Sequence, residues 1–184
     1  MRLIDFKKVK DGKYLKNYEL TYLNKSGKEK IFEIVSRRDL QSIEDLGGKP
    51  SGVSIVAIHE GKMLLLHEFR MGVNRKIYNL CAGMLEPDES IEQCIERELY
   101  EETGLKVKCI KKILPPSFAA VAISDVTTHI AFVETEGNFE DHTSDNEQIH
   151  AGFYSQEEVK HMLDTESFSS RAQMAAYFFS EYGL

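Results

Sequence analysis

The chain has 184 residues and a formal net charge of −7, with 42% hydrophobic and 29% charged residues. These values are typical of one folded globular domain and exclude a disordered chain. The excess of acid argues against a nucleic-acid partner, because phosphate contacts require a basic surface.

No apolar run approaches the roughly 20 residues that span a bilayer, so no membrane association is expected. The first 20 residues lack the apolar core and cleavage site of a signal peptide. Cys81, Cys94 and Cys109 follow neither a disulfide nor a zinc pattern. We therefore predict a protein of the reducing cytoplasm.

The amino-terminal part is predicted to be a separate β-strand region, residues 1–48. Apolar and polar residues alternate on both sides of "NKSGK" in "YLKNYELTYLNKSGKEKIFEIVSRRD". This pattern predicts an antiparallel hairpin, with Gly27 supplying a positive φ in the turn. The glycines and proline of "LGGKPSG" then predict a linker to a second domain, residues 49–184.

The second domain alternates predicted strands with helices. Residues 53–58 and 62–69 read as a strand pair, and "VTTHIAFVE" and "QIHAGFY" as later strands. Ser90, Gln93 and Gly104 predict the caps of a helix over residues 91–103. "SQEEVKHML" and "SSRAQMAAYFFSEY" predict two closing helices. Together these elements predict an α/β layered domain around a mixed sheet.

Residues 83–105, "GMLEPDESIEQCIERELYEETGL", concentrate eight carboxylates around a single basic residue, Arg97. Helical spacing places Glu98, Glu101 and Glu102 on one face, where they repel one another. A solvated acidic surface is one interpretation. The other is a site for a hard divalent cation, which prefers oxygen ligands shared with substrate phosphates.

The spacing of this segment favours the second interpretation. It resembles the Nudix hydrolase signature, G-x5-E-x7-R-E-U-x-E-E-x-G-U with U aliphatic, at all nine specified positions. Those positions are Gly83, Glu89, Arg97, Glu98, Leu99, Glu101, Glu102, Gly104 and Leu105.

The resemblance implies an α/β/α sandwich that hydrolyses a nucleoside diphosphate linked to another group, using Mg²⁺ or Mn²⁺. By position it implies that Glu98, Glu102 and the backbone carbonyl of Ala82 hold the metal. Glu101 would bridge metals or take part in catalysis through water. The resemblance gives structural support of the signature loop to Gly83, Glu89 and Arg97, the last two as an ion pair.

Flanking segments resemble the ADP-ribose pyrophosphatase group of this family. "LLLHEFRMGVNRKIYNLCAGMLEPDES" is similar to the group's "QFR…E-x-P-A-G" stretch, which makes Arg70 a candidate diphosphate ligand. A surface arginine at a strand end is the alternative. Arg37 and Arg38 are further substrate-binding candidates, and the amino-terminal strands resemble those that make this group homodimeric.

Three positions depart from that group. Cys81 replaces a proline before Ala-Gly, and Val121 and Val126 stand where a proline and an acid are usual. The general base comes from an acidic loop in this group, here "EDHTSDNEQIH", with Asp145 and Glu147 as candidates.

The expected function is hydrolysis of ADP-ribose to AMP and ribose 5-phosphate. Hydrolysis of a GDP- or UDP-sugar, or of modified nucleoside triphosphates, is an alternative within the same class. A nucleotide-sensing domain without catalysis is the alternative of another class, disfavoured by the intact glutamates. In each case the partner is a small nucleotide.

Overall fold

Three antiparallel strands form the amino-terminal sheet of the computed structural model, which describes residues 1–183. β1 (Arg2–Asp11), β2 (Lys16–Leu23) and β3 (Glu29–Ser36) pair in the order β1-β2-β3. The predicted hairpin is confirmed as β2 and β3, and Gly27 has a φ of 75° in its turn. β1 was not predicted from the sequence, because its many lysines and mostly exposed residues obscure any apolar alternation.

This sheet lies in the first of two compact units, Met1–Ser51 with Pro116–Thr128. The later segment is attached to β3, since the Val35 N–H donates to the Ile123 carbonyl at 2.8 Å. A short 3-10 turn, Ile43–Asp45, follows β3. The boundary between residues 48 and 49 stays a prediction, and Leu184, the end of the predicted second domain, lies outside the described residues.

In the described part of the chain, the second unit comprises Gly52–Pro115 and residues 129–183. The seven strands of the main sheet are β4 (Gly52–His59), β5 (Lys62–Arg70), β6 (Arg75–Asn79), β7 (Cys81–Met84), β8 (Lys106–Phe118), β9 (Thr127–Glu136) and β10 (Ile149–Tyr154). Their order is β10-β5-β4-β9-β8, with β6 paired to β5 and β7 to β4. The β4–β9 pair is parallel and the β4–β5 pair antiparallel, so the sheet is mixed, as predicted.

The three helices are α1 (Ile91–Thr103), α2 (Gln156–Thr165) and α3 (Ser170–Tyr182). The bounds of α1 match the prediction of residues 91–103. Ser90 and Gln93 form the expected capping box, and Gly104 closes the helix in the left-handed conformation at a φ of 76°. Ser155 and Glu158 form a second capping box at the start of α2.

Buried side chains on both faces of β4 and β5 explain why these strands read as continuous apolar runs. One face packs on α1 through residues such as Ile55 and Leu64. The other packs on α2 and α3 through Val56 and Leu65. The predicted α/β/α sandwich is therefore confirmed. Over residues 1–183, no helix has the length and apolar content needed to cross a membrane.

Candidate active site

The acidic face of α1 borders a polar cavity of about 440 Å³ in the second unit. Glu98 and Glu102 line it, one helical turn apart. Ala82 and Gly83 of β7 line it from the sheet side. Because α1 and β7 face each other here, the structure brings together two of the predicted carboxylates and the predicted loop glycine.

Gly83 is required because the Glu98 carboxylate occupies the space where a side chain would be. A Cβ built on Gly83 would lie 1.6 Å from Cδ of Glu98 and 1.8 Å from its Oε1. The side chain of Glu98 is only 12% exposed. The absence of a Cβ at Gly83 therefore forms the cradle in which this carboxylate rests.

Glu102 lies beside the same strand. Its Oε2 accepts a hydrogen bond from the Ala82 N–H at 3.1 Å. Burial, helped by the charges of Glu68 and Glu98, raises the pKa of Glu102 to about 8, although hydrogen bonds from Cys81 and the Ala82 N–H oppose the change. Burial also raises the pKa of Glu98, although Arg97 opposes that change. A carboxylate pair destabilised in this way is one that a bound cation would stabilise.

Arg97 holds the signature loop to α1. Its Nε and Nη2 donate to the two oxygens of Glu89 at 2.8 and 2.9 Å, a bidentate ion pair. These hydrogen bonds are the main reason that the pKa of Glu89 falls to about 2. Nη2 also donates to the Met84 carbonyl at 2.9 Å. The loop is therefore fixed to the helix at a side chain and at the backbone.

The same guanidinium reaches two further glutamates. Nη1 donates to Glu98 Oε1 at 2.8 Å and to Glu101 Oε2 at 3.1 Å. The side chain of Glu101 is 54% exposed, unlike that of Glu98. Sequence reasoning gave Arg97 one partner, whereas the structure gives it three carboxylates.

The donor set fits a hard cation. Glu98 and Glu102 supply carboxylate oxygens at one cavity that Ala82 also lines, and Mg²⁺ is usually bound by one or two carboxylates with the rest from water and phosphate. No group of three or more His, Cys, Asp or Glu side chains within residues 1–183 is arranged to hold a metal by itself. The identity of the cation remains a prediction.

The remaining wall of the cavity comes from β5 and from the loop before β10. It includes Arg70 and Glu147. Glu147 accepts hydrogen bonds from the backbone N–H and the hydroxyl of Ser144 at 3.0 and 2.9 Å, which hold the carboxylate in the loop. Asp145 is not among the described residues that line the cavity.

Cys81 departs from the pattern of the group without adding a reactive group. The thiol is fully buried, and burial together with the charge of Glu102 raises its pKa well above the ordinary value. A buried thiol of raised pKa is a poor nucleophile. Cys81 therefore packs beneath the carboxylates as a small side chain.

The predicted candidates Arg37 and Arg38 lie in the first unit. Arg37 is exposed, whereas Arg38 donates from Nη2 to Asp125 Oδ2 at 2.8 Å and to the Asp45 carbonyl at 2.9 Å. Asp125, which sequence reasoning missed, is only 7% exposed. Arg38 thus has a structural contact within its own unit, and substrate binding by either arginine stays a prediction. Val121 is 71% exposed there.

Two functional candidates of the second unit, Glu68 and Asn79, were also not predicted from the sequence. Glu68 lines the cavity although it is only 6% exposed, and it accepts a hydrogen bond from Nδ2 of Asn79. The only sequence signal was a carboxylate within the apolar strand "KMLLLHEF", where an unpaired charge would be costly.

Comparison with known proteins gives a consistent picture. Residues 48–177 match the NUDIX domain family. The chain is 27% identical over 135 residues to an ADP-sugar pyrophosphatase of Mus musculus, covering 71% of this chain and 59% of that protein. It is 34% identical over 86 residues to an ADP-ribose pyrophosphatase of Bacillus subtilis, covering 46% of each chain.

A shorter stretch of 61 residues is 49% identical to an NAD-capped RNA hydrolase of Actinobacillus succinogenes, covering 31% of this chain and 23% of that protein. The matches thus span less than two thirds of these relatives. A solved structure described as an ADP compounds hydrolase superposes with a TM-score of 0.72 at 18% identity, covering 98% of this chain and 92% of that one. That likeness supports the fold.

Proposed function

We propose a hydrolytic function from one premise: the chain belongs to the NUDIX domain family. The proposed reaction is hydrolysis of the pyrophosphate bond of a nucleoside diphosphate derivative, with ADP-ribose giving AMP and ribose 5-phosphate. The observation that carries the proposal is the pair Glu98 and Glu102 at one polar cavity with Arg70. An idle domain would have no use for partly buried carboxylates of raised pKa placed side by side.

ADP-ribose is the first choice of substrate because two relatives are named for ADP-ribose and ADP-sugar hydrolysis. The second name also favours an ADP-sugar or another sugar nucleotide as the alternative. The sensing function would become the better proposal only if no nucleotide were cleaved.

Each group of the cavity has a role in this chemistry. Water attacks one phosphorus, the bridging P–O bond breaks, and two phosphate monoesters leave. Mg²⁺ or Mn²⁺ held by Glu98, Glu102 and the Ala82 carbonyl would neutralise the pyrophosphate charge. Arg70 presents guanidinium N–H groups to the anionic oxygens.

Proton transfer is assigned to Glu147 rather than to Asp145. Glu147 lines the cavity and is held by Ser144, so it can accept the proton lost by the attacking water. Glu101, exposed and bound to Arg97, has the weaker case as a bridging or catalytic group. Its substitution is expected to affect turnover less than that of Glu98.

A panel of ADP-ribose, sugar nucleotides, dinucleotides and nucleoside triphosphates, assayed with and without Mg²⁺, tests the proposed reaction. Glu98→Gln should lower kcat on the best substrate at least about a hundredfold, because it removes one negative oxygen ligand. Glu96→Gln on the exposed side of α1 is the matched control and should retain turnover. Wild-type turnover in Glu98→Gln would contradict the metal assignment.

The base is tested by Glu147→Gln and Asp145→Asn. The first should lower kcat by roughly 100-fold with little change in KM, the usual contribution of a general base. The second, in the same loop, should leave kcat within about twofold, a change too small for a lost base. The reverse result would move the base to Asp145.

We further propose that the protein is a cytoplasmic homodimer. The three cysteines are free, which suits a reducing compartment.

A further inference from the structure

Glu68 is a buried carboxylate that the proposed reaction leaves without a role. It lies in β5 two residues after the fully buried run Leu64, Leu65 and Leu66, and it is itself 6% exposed. Burying a carboxylate is costly unless hydrogen bonds satisfy it. It lies at the same cavity as Glu98 and Glu102, where a third negative charge adds repulsion.

Both oxygens of Glu68 are engaged. Oε1 accepts from Nδ2 of Asn79 at 2.6 Å, and Oε2 accepts from Nη1 of Arg70 at 3.3 Å. Asn79 lies on β6, the strand paired with β5. The carboxylate is therefore fixed by the neighbouring strand and turned toward the arginine two residues later in its own strand.

Asn79 is fixed in turn. Its Oδ1 accepts from the hydroxyl of Ser169 at 2.6 Å, and the Ser169 N–H donates to the Tyr78 carbonyl at 3.0 Å. Ser169 is the N-cap of α3, and its hydroxyl oxygen accepts from the Ala172 N–H. The hydroxyl thus uses both its donor and its acceptor capacity. A continuous chain of hydrogen bonds runs Ser169–Asn79–Glu68–Arg70.

We propose that Glu68 and Asn79 are positioning residues that hold Arg70 ready for the anionic part of the substrate. This inference rests on the proposed function, in which Arg70 binds the diphosphate. The Arg70 side chain is 56% exposed at the end of β5, so without an anchor it would lose rotamer freedom on binding. Anchoring through one Nη1 hydrogen bond leaves the rest of the guanidinium fork free for phosphate oxygens.

Side-chain order of Arg70 tests the positioning without any assay of activity. The Nε–Hε order parameter of Arg70, measured by NMR in the wild type, is compared with that in Glu68→Gln and Asn79→Ala. We expect it to fall below about 0.6 in both variants, a value typical of flexible groups. Glu157→Gln, an exposed carboxylate on α2, is the control and should leave it unchanged. An Arg70 equally ordered in all four proteins overturns the proposal.

Kinetics in a double-mutant cycle give the second test. With ADP-ribose and Mg²⁺, Glu68→Gln should raise KM about tenfold and leave kcat within about twofold. In an Arg70→Ala background the same substitution should have no further effect, because it acts through the arginine. A loss of kcat at unchanged KM, or additive effects, would place Glu68 elsewhere in the reaction and overturn the proposal.

The two proposals fail separately. If the wild type cleaves no member of the panel, the hydrolytic function fails, yet the NMR comparison still decides whether Glu68 orders Arg70. If the wild type is active and Arg70 stays ordered in Glu68→Gln, the positioning role alone is wrong.

Discussion

Different neighbours exclude a side chain at Gly83 and at Gly52. We therefore expect substitution of Gly83 to affect activity and substitution of Gly52 to affect stability. A Cβ on Gly83 would meet the carboxylate of Glu98, the movable end of a long side chain. We expect Gly83→Ala to displace Glu98 and lower kcat/KM roughly 100-fold, as small misplacements of catalytic groups do. The thermal midpoint should change little, because Glu98 can swing aside.

Gly52→Ala is the matched comparison. Its Cβ would lie 1.9 Å from the Gly83 carbonyl oxygen, a backbone atom of the neighbouring strand. A rotamer change cannot relieve that clash. We therefore expect the free energy of unfolding, measured by urea denaturation, to fall by about 1–3 kcal/mol. If Gly83→Ala were the more unstable of the two and kept its activity, the cradle described for Glu98 would be wrong.

Single residues differ in how far the sequence could predict them. Gly83, Glu98 and Glu102 follow from spacing, because helix geometry and one loop bring them together. The role of Glu68 could not be predicted from spacing. Its contact with Asn79 depends on the register of β5 and β6, and its contact with Arg70 depends on the conformation of the arginine side chain. Asp145 and Glu147 could not be ranked from the sequence, because which of the two lines the cavity depends on the conformation of their loop.

At the scale of an element, the stability that the Glu89–Arg97 ion pair gives to the attachment of the signature loop to α1 should depend on pH. The pKa of Glu89 is about 2 in the folded protein against an ordinary 4.5, chiefly because Arg97 hydrogen-bonds it. A lowered folded pKa stabilises the protein above pH 4.5 and loses that contribution as the pH falls toward 2. Glu89→Gln should therefore be less stable than wild type at pH 7, and the difference should shrink between pH 4.5 and 2.

The measurement is urea unfolding of both proteins across this pH range. Glu92→Gln, an exposed carboxylate in the first turn of α1, serves as the control for a general loss of negative charge. A Glu89→Gln difference that stays constant from pH 7 to pH 2 would mean that the carboxylate does not contribute through its charge.

Secondary-structure elements were predictable where the residues at their ends make specific capping interactions. The caps Ser90 and Gly104 defined α1 to the residue. β6, β7 and β8 were missed for physical reasons: β6 and β7 have only five and four residues, and β8 holds two prolines and several lysines. β8 is the last strand of the sheet order, and an edge strand is the position in a sheet where prolines are best tolerated.

The division of the whole chain depends on contacts distant in sequence. Residues 116–128 belong with the amino-terminal unit, where Asp125 pairs with Arg38, 87 residues earlier. Composition and turn residues indicate only where one segment of the chain ends and the next begins. They could therefore suggest the boundary after residue 48, but not that residues 116–128 pack with the amino-terminal unit. The fold class could be predicted from the sequence, whereas the residues that make up each compact unit could be assigned only from the three-dimensional structure.

The amino-terminal sheet also makes the proposed homodimer testable at the level of the whole molecule. Ile4, Val9, Ile31 and Phe32 are 39% to 55% exposed, although all are large and apolar. Ile31 lies on the face opposite Ile34, which packs in the small core of this unit, whereas Phe32 lies on the same face as Ile34. Since exposed apolar side chains mark association surfaces, we expect the face that carries Ile31 to bind a second copy.

The expected mass in light scattering at micromolar concentration is about 42 kDa, twice the 21.0 kDa of one chain. Ile31→Lys should shift the protein toward 21.0 kDa, because it introduces a charge into an apolar contact. Glu29→Lys, two residues earlier in the same strand and already exposed, should keep the dimer because no apolar contact is lost there. A wild-type protein at 21.0 kDa would contradict the homodimer, and a dimer that survives Ile31→Lys would move its interface off this face of the sheet.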